Sequence, residues 1–153
     1  MINNCAFMGR VAALSWTPSP NWPSIAISIV EPNYPQVALP NHYVDVLRLH
    51  FHDVRDEPDK EPSILPGPTA QIGQLISEFL AGYHSENQQF NLVVHCQEGV
   101  SRSAAVAKFV RDIMDVPIKS PSGNDGSCYN RSLFNYIVSA HRLEQKRVAR
   151  PRI

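Results

Sequence analysis

Residues 91–114 read NLVVHCQEGVSRSAAVAKFVRDIM, and no other stretch narrows the possible folds as much. NLVVHC is a continuous apolar run, the pattern of a strand buried on both faces. After a short polar interval, Val106, Phe109, Val110, Ile113 and Met114 recur at helical spacing. A doubly buried strand that passes through a tight loop into an amphipathic helix implies an α/β domain, because helices on a largely parallel sheet are what cover both faces of such a strand.

The rest of the chain fits that class. IAISIV (25–30) and VDVLRLHF (44–51) are β-branched or alternating and read as strands, and INNCAFM near the start reads as another. Ile72, Leu75, Ile76, Phe79, Leu80 and Tyr83 mark an amphipathic helix over 69–84, and Leu133, Tyr136, Ile137, Ala140 and Leu143 mark a last one. Ten of the thirteen prolines cluster at 18–40 and 58–68, which makes those stretches irregular connections, and SPSGNDGS (120–127) is a surface loop by its turn residues. The expectation is one α/β domain over 1–153, a central, largely parallel β-sheet flanked by helices, with a tight loop between a buried strand and a helix.

A chain of 153 residues, 43% hydrophobic, can bury one substantial core. Lys plus Arg equals Asp plus Glu at 14 each, so no global field favours nucleic acid or an anionic membrane as partner. The basic stretch HRLEQKRVARPRI reads as a solvated helix end and a frayed terminus. No apolar stretch has secretory or membrane-spanning pattern, and Cys5, Cys96 and Cys128 form neither a disulfide framework nor a zinc-ligand spacing. A cytoplasmic location is expected, where a thiol stays reduced.

The polar interval itself, HCQEGVSRS (95–103), places Cys96 six positions before Arg102. Between a strand end and a helix start, backbone N–H groups converge and bind an anion. Gly99 permits a positive backbone dihedral, and Ser101 or Ser103 can satisfy unpaired amides at the helix start. The helix dipole and a nearby guanidinium both favour the thiolate form of Cys96. The planar fork of Arg102 can hold two oxygens of a phosphoryl group while the amides of Gln97, Glu98, Gly99, Val100 and Ser101 hold the others. Ser103 can donate to the sulfur and ease its departure from a phosphocysteine. His95 is expected to orient the loop through a backbone hydrogen bond, and Cys5 and Cys128, which lack an arginine six positions on, read as inert.

HCQEGVSRS resembles the HC-x5-R-S/T signature of cysteine-dependent protein tyrosine phosphatases, most closely that of the small dual-specificity branch. The resemblance is strong over 91–110, looser over 44–90 and negligible before 40. It implies a two-step phosphatase with a phosphocysteine intermediate, no cofactor and no metal, acting on a phosphorylated protein: phosphotyrosine first, with phosphoserine and phosphothreonine as further substrates. It also implies an aspartic acid upstream of the cysteine that protonates the leaving oxygen. The candidates lie in HFHDVRDEPDKEP; Asp53, directly after the strand, is preferred and Asp56 is the alternative.

Other roles stay open. Glu98 either orients Arg102 or points to solvent, His50 and His52 either face the pocket or are exposed strand residues, and Asn130 and Arg131 begin the last helix as caps or pack beneath the loop. The rival functions are a phosphoprotein-binding module without turnover, a phosphatase of an inositol phosphate or RNA 5′-phosphate, and a sulfur-transfer or arsenate-reducing enzyme with Cys128 as a second thiol.

Overall fold

A computed structural model describes residues 1–55, 61 and 63–150. Five strands form one sheet: β1 (Ile2–Gly9), β2 (Ser24–Val30), β3 (Tyr43–His50), β4 (Phe90–Cys96) and the two-residue β5 (Ile118–Lys119). Their order is β3-β2-β4-β1-β5, and every pairing is parallel. β4 lies between β2 and β1 and is buried at each of its residues, as its largely apolar sequence implies. All strands run the same way, so the ends of β1, β2, β3 and β4 open at one edge, and Cys96 stands in the middle of it.

The two faces of the sheet differ in bulk. Ile25, Ile27, Ile29, Leu92, Val94 and Phe7 face the main core, which α2 (Ala70–His84), α3 (Arg102–Met114) and α4 (Arg131–Ala149) complete. The alternate positions carry the small residues Ala6 and Ala26 beside Met8 and Val93. Small side chains there leave room for a thin cover, made by α1 (Arg10–Ala13) and by Trp16, Leu39 and Tyr43 from or beside the proline-rich segments. Parallel pairing and the strand positions were legible in the sequence; α1 and β5 are too short to register as periodic patterns.

The Oγ1 of Thr69 caps α2 by accepting from the Ile72 amide at 3.2 Å. The helical stripes expected from sequence are partly right. Ile76, Leu80, Val106, Phe109, Val110, Leu133 and Ile137 are buried, whereas Leu75, Ile113 and Leu143 are 41%, 42% and 63% exposed. Leu143 belongs to the later half of α4, whose only buried residues, Leu133 and Ile137, lie in its first half. Among the described residues no helix is long and apolar enough to cross a membrane.

α2 and α4 meet through Gly73. A Cβ there would stand 2.6 Å from the backbone carbon and oxygen of Tyr136, which no rotamer change relieves. At Gly82 on the same helix a Cβ would meet nothing within 4 Å. Gly82→Ala should therefore raise stability by up to about 1 kcal/mol through helix propensity alone. Gly73→Ala should lower it by about 1–3 kcal/mol, because the two helices must separate. Urea unfolding of both variants checks this; equal gains would mean that the helices do not touch at Gly73.

Candidate active site

The strand edge at Cys96 holds a cleft of about 340 Å³ lined by Glu31, Asp53, Arg55, Cys96, Gln97, Glu98, Val100, Ser101 and Arg102. A larger groove of about 590 Å³ between α2 and α4 contains neither a thiol nor a histidine. The smaller cleft is the one that brings a thiol together with carboxylates and guanidinium groups.

The loop from Cys96 to Ser101 is shaped by close approach to the end of β1. Gly99 has φ +76°, and a Cβ on it would stand 2.3 Å from the Gly9 nitrogen. A Cβ on Gly9 would in turn meet the Glu98 carbonyl carbon and oxygen at 3.0 Å. With neither side chain present, the Arg10 amide donates to the Gln97 carbonyl at 3.2 Å and ties the loop to the β1–α1 junction. The need at Gly99 was visible in the motif, but that at Gly9 was not, since only the parallel pairing of β1 with β4 brings it there.

Cys96 is 2% exposed at the floor of the cleft. Its Sγ lies 3.2 Å from Ser103 Oγ, in the first turn of α3, and accepts from the Gly99 amide at 3.3 Å. The Ser103 hydroxyl accepts from the thiol and can donate to the thiolate. Arg102 is 4% exposed and lies back from the loop. One terminal nitrogen donates to the Phe51 carbonyl at 2.7 Å, and the other pairs with Glu31 Oε1 at 2.7 Å. Further N–H donors of the guanidinium remain for an oxyanion. Glu31 is the partner that sequence reasoning missed: it stands 71 positions from Arg102 at the end of β2, and no local spacing announces it. Glu98, within the loop, is exposed and leaves that role to Glu31.

Asp53 reaches the cleft three residues after β3. Its Oδ1 accepts from Ser101 Oγ at 2.7 Å and from Asn130 Nδ2 at 2.8 Å. Ser101 precedes α3 as its N-terminal flanking residue, yet its side chain makes no capping bond, because the hydroxyl is turned to Asp53. Neither Ser101 nor Ser103 thus serves the helix amides as the sequence suggested. Asn130 does cap α4, accepting from the Leu133 amide at 2.9 Å. Asp56 lies outside the described residues. His50 and His52 are not among the cleft residues, and Cys128 is exposed, its carbonyl accepting from Arg55 at 2.7 Å.

His95 is fully buried behind the loop, with Nε2 2.6 Å from Ser28 Oγ on the paired strand. Its Nδ1 faces the Cys96 backbone without a well-aligned hydrogen bond. Burial, opposed by the Cys96 backbone but helped by Arg48, Arg10 and Arg102, pulls its pKa from 6.5 to about 4. The ring is neutral at pH 7 and unsuited to proton transfer there.

No family model and no curated protein matches the sequence. Among solved structures, the chain is similar to a human tyrosine phosphatase-like serine/threonine/tyrosine-interacting protein. The TM-score is 0.46 and the identity 16%, over 94% of this chain and 91% of that one.

The histidine has a measurable consequence for stability. Between pH 6.5 and about 4 the unfolded chain binds a proton at this position that the folded chain refuses, so stability is lost as pH falls through that window and is unaffected above it. The loss from this residue should be on the order of 3 kcal/mol. Unfolding free energies at pH 7 and pH 4.5 should fall more for the native chain than for His95→Asn, with the carboxylates common to both. Equal falls would mean that His95 is protonated in the fold.

Proposed function

We propose that the protein is a cysteine-dependent phosphatase of phosphate monoesters, with phosphorylated proteins as substrates. The observation that carries the reading is the position of the Cys96 sulfur, between the Ser103 hydroxyl and the Gly99 amide at a helix N-terminus, in one cleft with Arg102 and Asp53. A buried inert cysteine has no need of such surroundings.

In the first step the Cys96 thiolate attacks phosphorus in line with the leaving oxygen. The S–P bond forms, the P–O bond breaks, and Asp53 gives its proton to the departing alkoxide or phenoxide. Arg102 and the amides of residues 97–102 hold the equatorial oxygens, and the Glu31 and Phe51 contacts keep the guanidinium in place without reorganisation. In the second step the Asp53 carboxylate takes a proton from water as that water attacks phosphorus. The S–P bond breaks, inorganic phosphate leaves, and the Ser103 hydroxyl donates to the thiolate that is released. Oδ1 of Asp53 already accepts twice, so the transferred proton resides on Oδ2.

Against two arginines the cleft sets three carboxylates, Glu31, Asp53 and Glu98. That balance favours a monophosphate over a polyphosphorylated inositol or an RNA 5′-triphosphate. The exposed position of Cys128 gives a second-thiol mechanism no support. Phosphotyrosine, with phosphoserine and phosphothreonine beside it, is the substrate class we assign.

Hydrolysis of p-nitrophenyl phosphate with reductant and EDTA present tests the reading. Turnover should persist in EDTA, since arginine and amides carry the charge stabilisation, and should vanish in Cys96→Ser. Binding of a phosphotyrosine peptide without any turnover by the native chain would move the protein to the phosphoprotein-reading modules.

A further inference from the structure

We propose that Asn130 is a positioning residue for the acid Asp53, fixing it between the phosphate loop and the start of α4; the inference rests on the phosphatase reading above. Asn130 is fully buried, and each of its polar groups has a defined partner. Its backbone amide donates to the Ser101 carbonyl at 3.0 Å. Nδ2 donates to Asp53 Oδ1 at 2.8 Å and to the Val54 carbonyl at 2.9 Å, and Oδ1 accepts from the Leu133 amide at 2.9 Å. One residue therefore grips the acid-bearing segment by side chain and backbone, the phosphate loop by its last carbonyl, and its own helix by the cap.

A helix cap alone does not explain this. Capping needs only the acceptor oxygen, which Ser, Thr or Asp supply as well. The two Nδ2 bonds need an amide: a carboxylate would face Asp53 with like charge, and a hydroxyl has a single hydrogen to give. Ser101 adds the second donor on Asp53 Oδ1 at 2.7 Å, so the carboxyl is held at one oxygen from both sides and its plane is set. The other oxygen, Oδ2, is thereby the one presented for proton transfer. Asp53 follows β3 and precedes a proline-rich stretch, and without these bonds its distance to a leaving oxygen would be poorly defined. A displacement near 1 Å is worth roughly a hundredfold in rate at a reacting centre.

Asn130→Ser keeps a good cap and loses both Nδ2 bonds, which separates positioning from folding. kcat/KM is measured on phenyl phosphate, whose leaving group needs a proton, and on 2,4-dinitrophenyl phosphate, whose leaving group does not, for the native chain, Asn130→Ser, Asp53→Asn and the double variant. The expected result is a fall on phenyl phosphate that exceeds the fall on the dinitrophenyl ester by roughly tenfold or more in Asn130→Ser, with vanadate affinity retained. In the Asp53→Asn background the same change should cost about twofold at most, because the group it positions is gone. Equal falls on both esters, full additivity in the double variant, or a parallel loss of vanadate affinity would overturn the positioning role while leaving the phosphatase intact. No turnover of either ester by the native chain, or an Asp53→Asn variant indifferent to the leaving group, would instead defeat the underlying mechanism and the positioning with it.

Discussion

A guanidinium removed from water must find its partners within the protein, and Arg102 finds them at the ends of two other strands. Glu31 directly follows β2 and Phe51 directly follows β3, so the ion pair and the carbonyl bond join the start of α3 to both strand ends. Removing either partner would leave a buried charge poorly compensated, which is far more costly than a missing surface pair. The geometry of the strand edge is thus coupled to the orientation of one side chain. A parallel sheet makes that coupling possible because it brings all the strand ends to the same edge.

The loop from Cys96 to Ser101 obeys a second constraint, that of space. Its path runs against the β1–α1 junction so closely that Gly9 and Gly99 both lack room for a side chain. The Arg10 amide and the Asn130 amide hold the Gln97 and Ser101 carbonyls near the two ends of the loop. Its dipoles are thus fixed by contacts within the protein, which is the preorganisation that the proposed function requires. Asp53 belongs to the same web through Ser101 and Asn130.

Periodicity made the architecture legible, since β4 is mostly apolar and buried throughout, and the helices repeat their stripes. The motif made Cys96, Arg102, Ser103 and Gly99 legible, because they sit at fixed offsets within nine residues. Glu31, Gly9 and Ser28 were not legible, as each acts through parallel strand register, which the chain order does not display. The capping role expected of Ser101 failed for a related reason: a hydroxyl at a helix start goes to the stronger acceptor, and the Asp53 carboxylate comes from 48 positions away. Leu75 and Leu143 satisfied the helical spacing yet stayed exposed, because period marks a face and says nothing of how far the neighbouring element extends over it.

The proposed phosphatase chemistry requires that the Cys96 sulfur become covalently bonded to phosphorus. Acid quenching during turnover of 2,4-dinitrophenyl phosphate, followed by peptide mass spectrometry, tests it directly, since the intermediate should accumulate when the leaving group departs quickly. The expected product is a phosphorylated peptide with the modification on Cys96. Turnover without any phosphopeptide, or with phosphate on another side chain, would rule out Cys96 as the nucleophile.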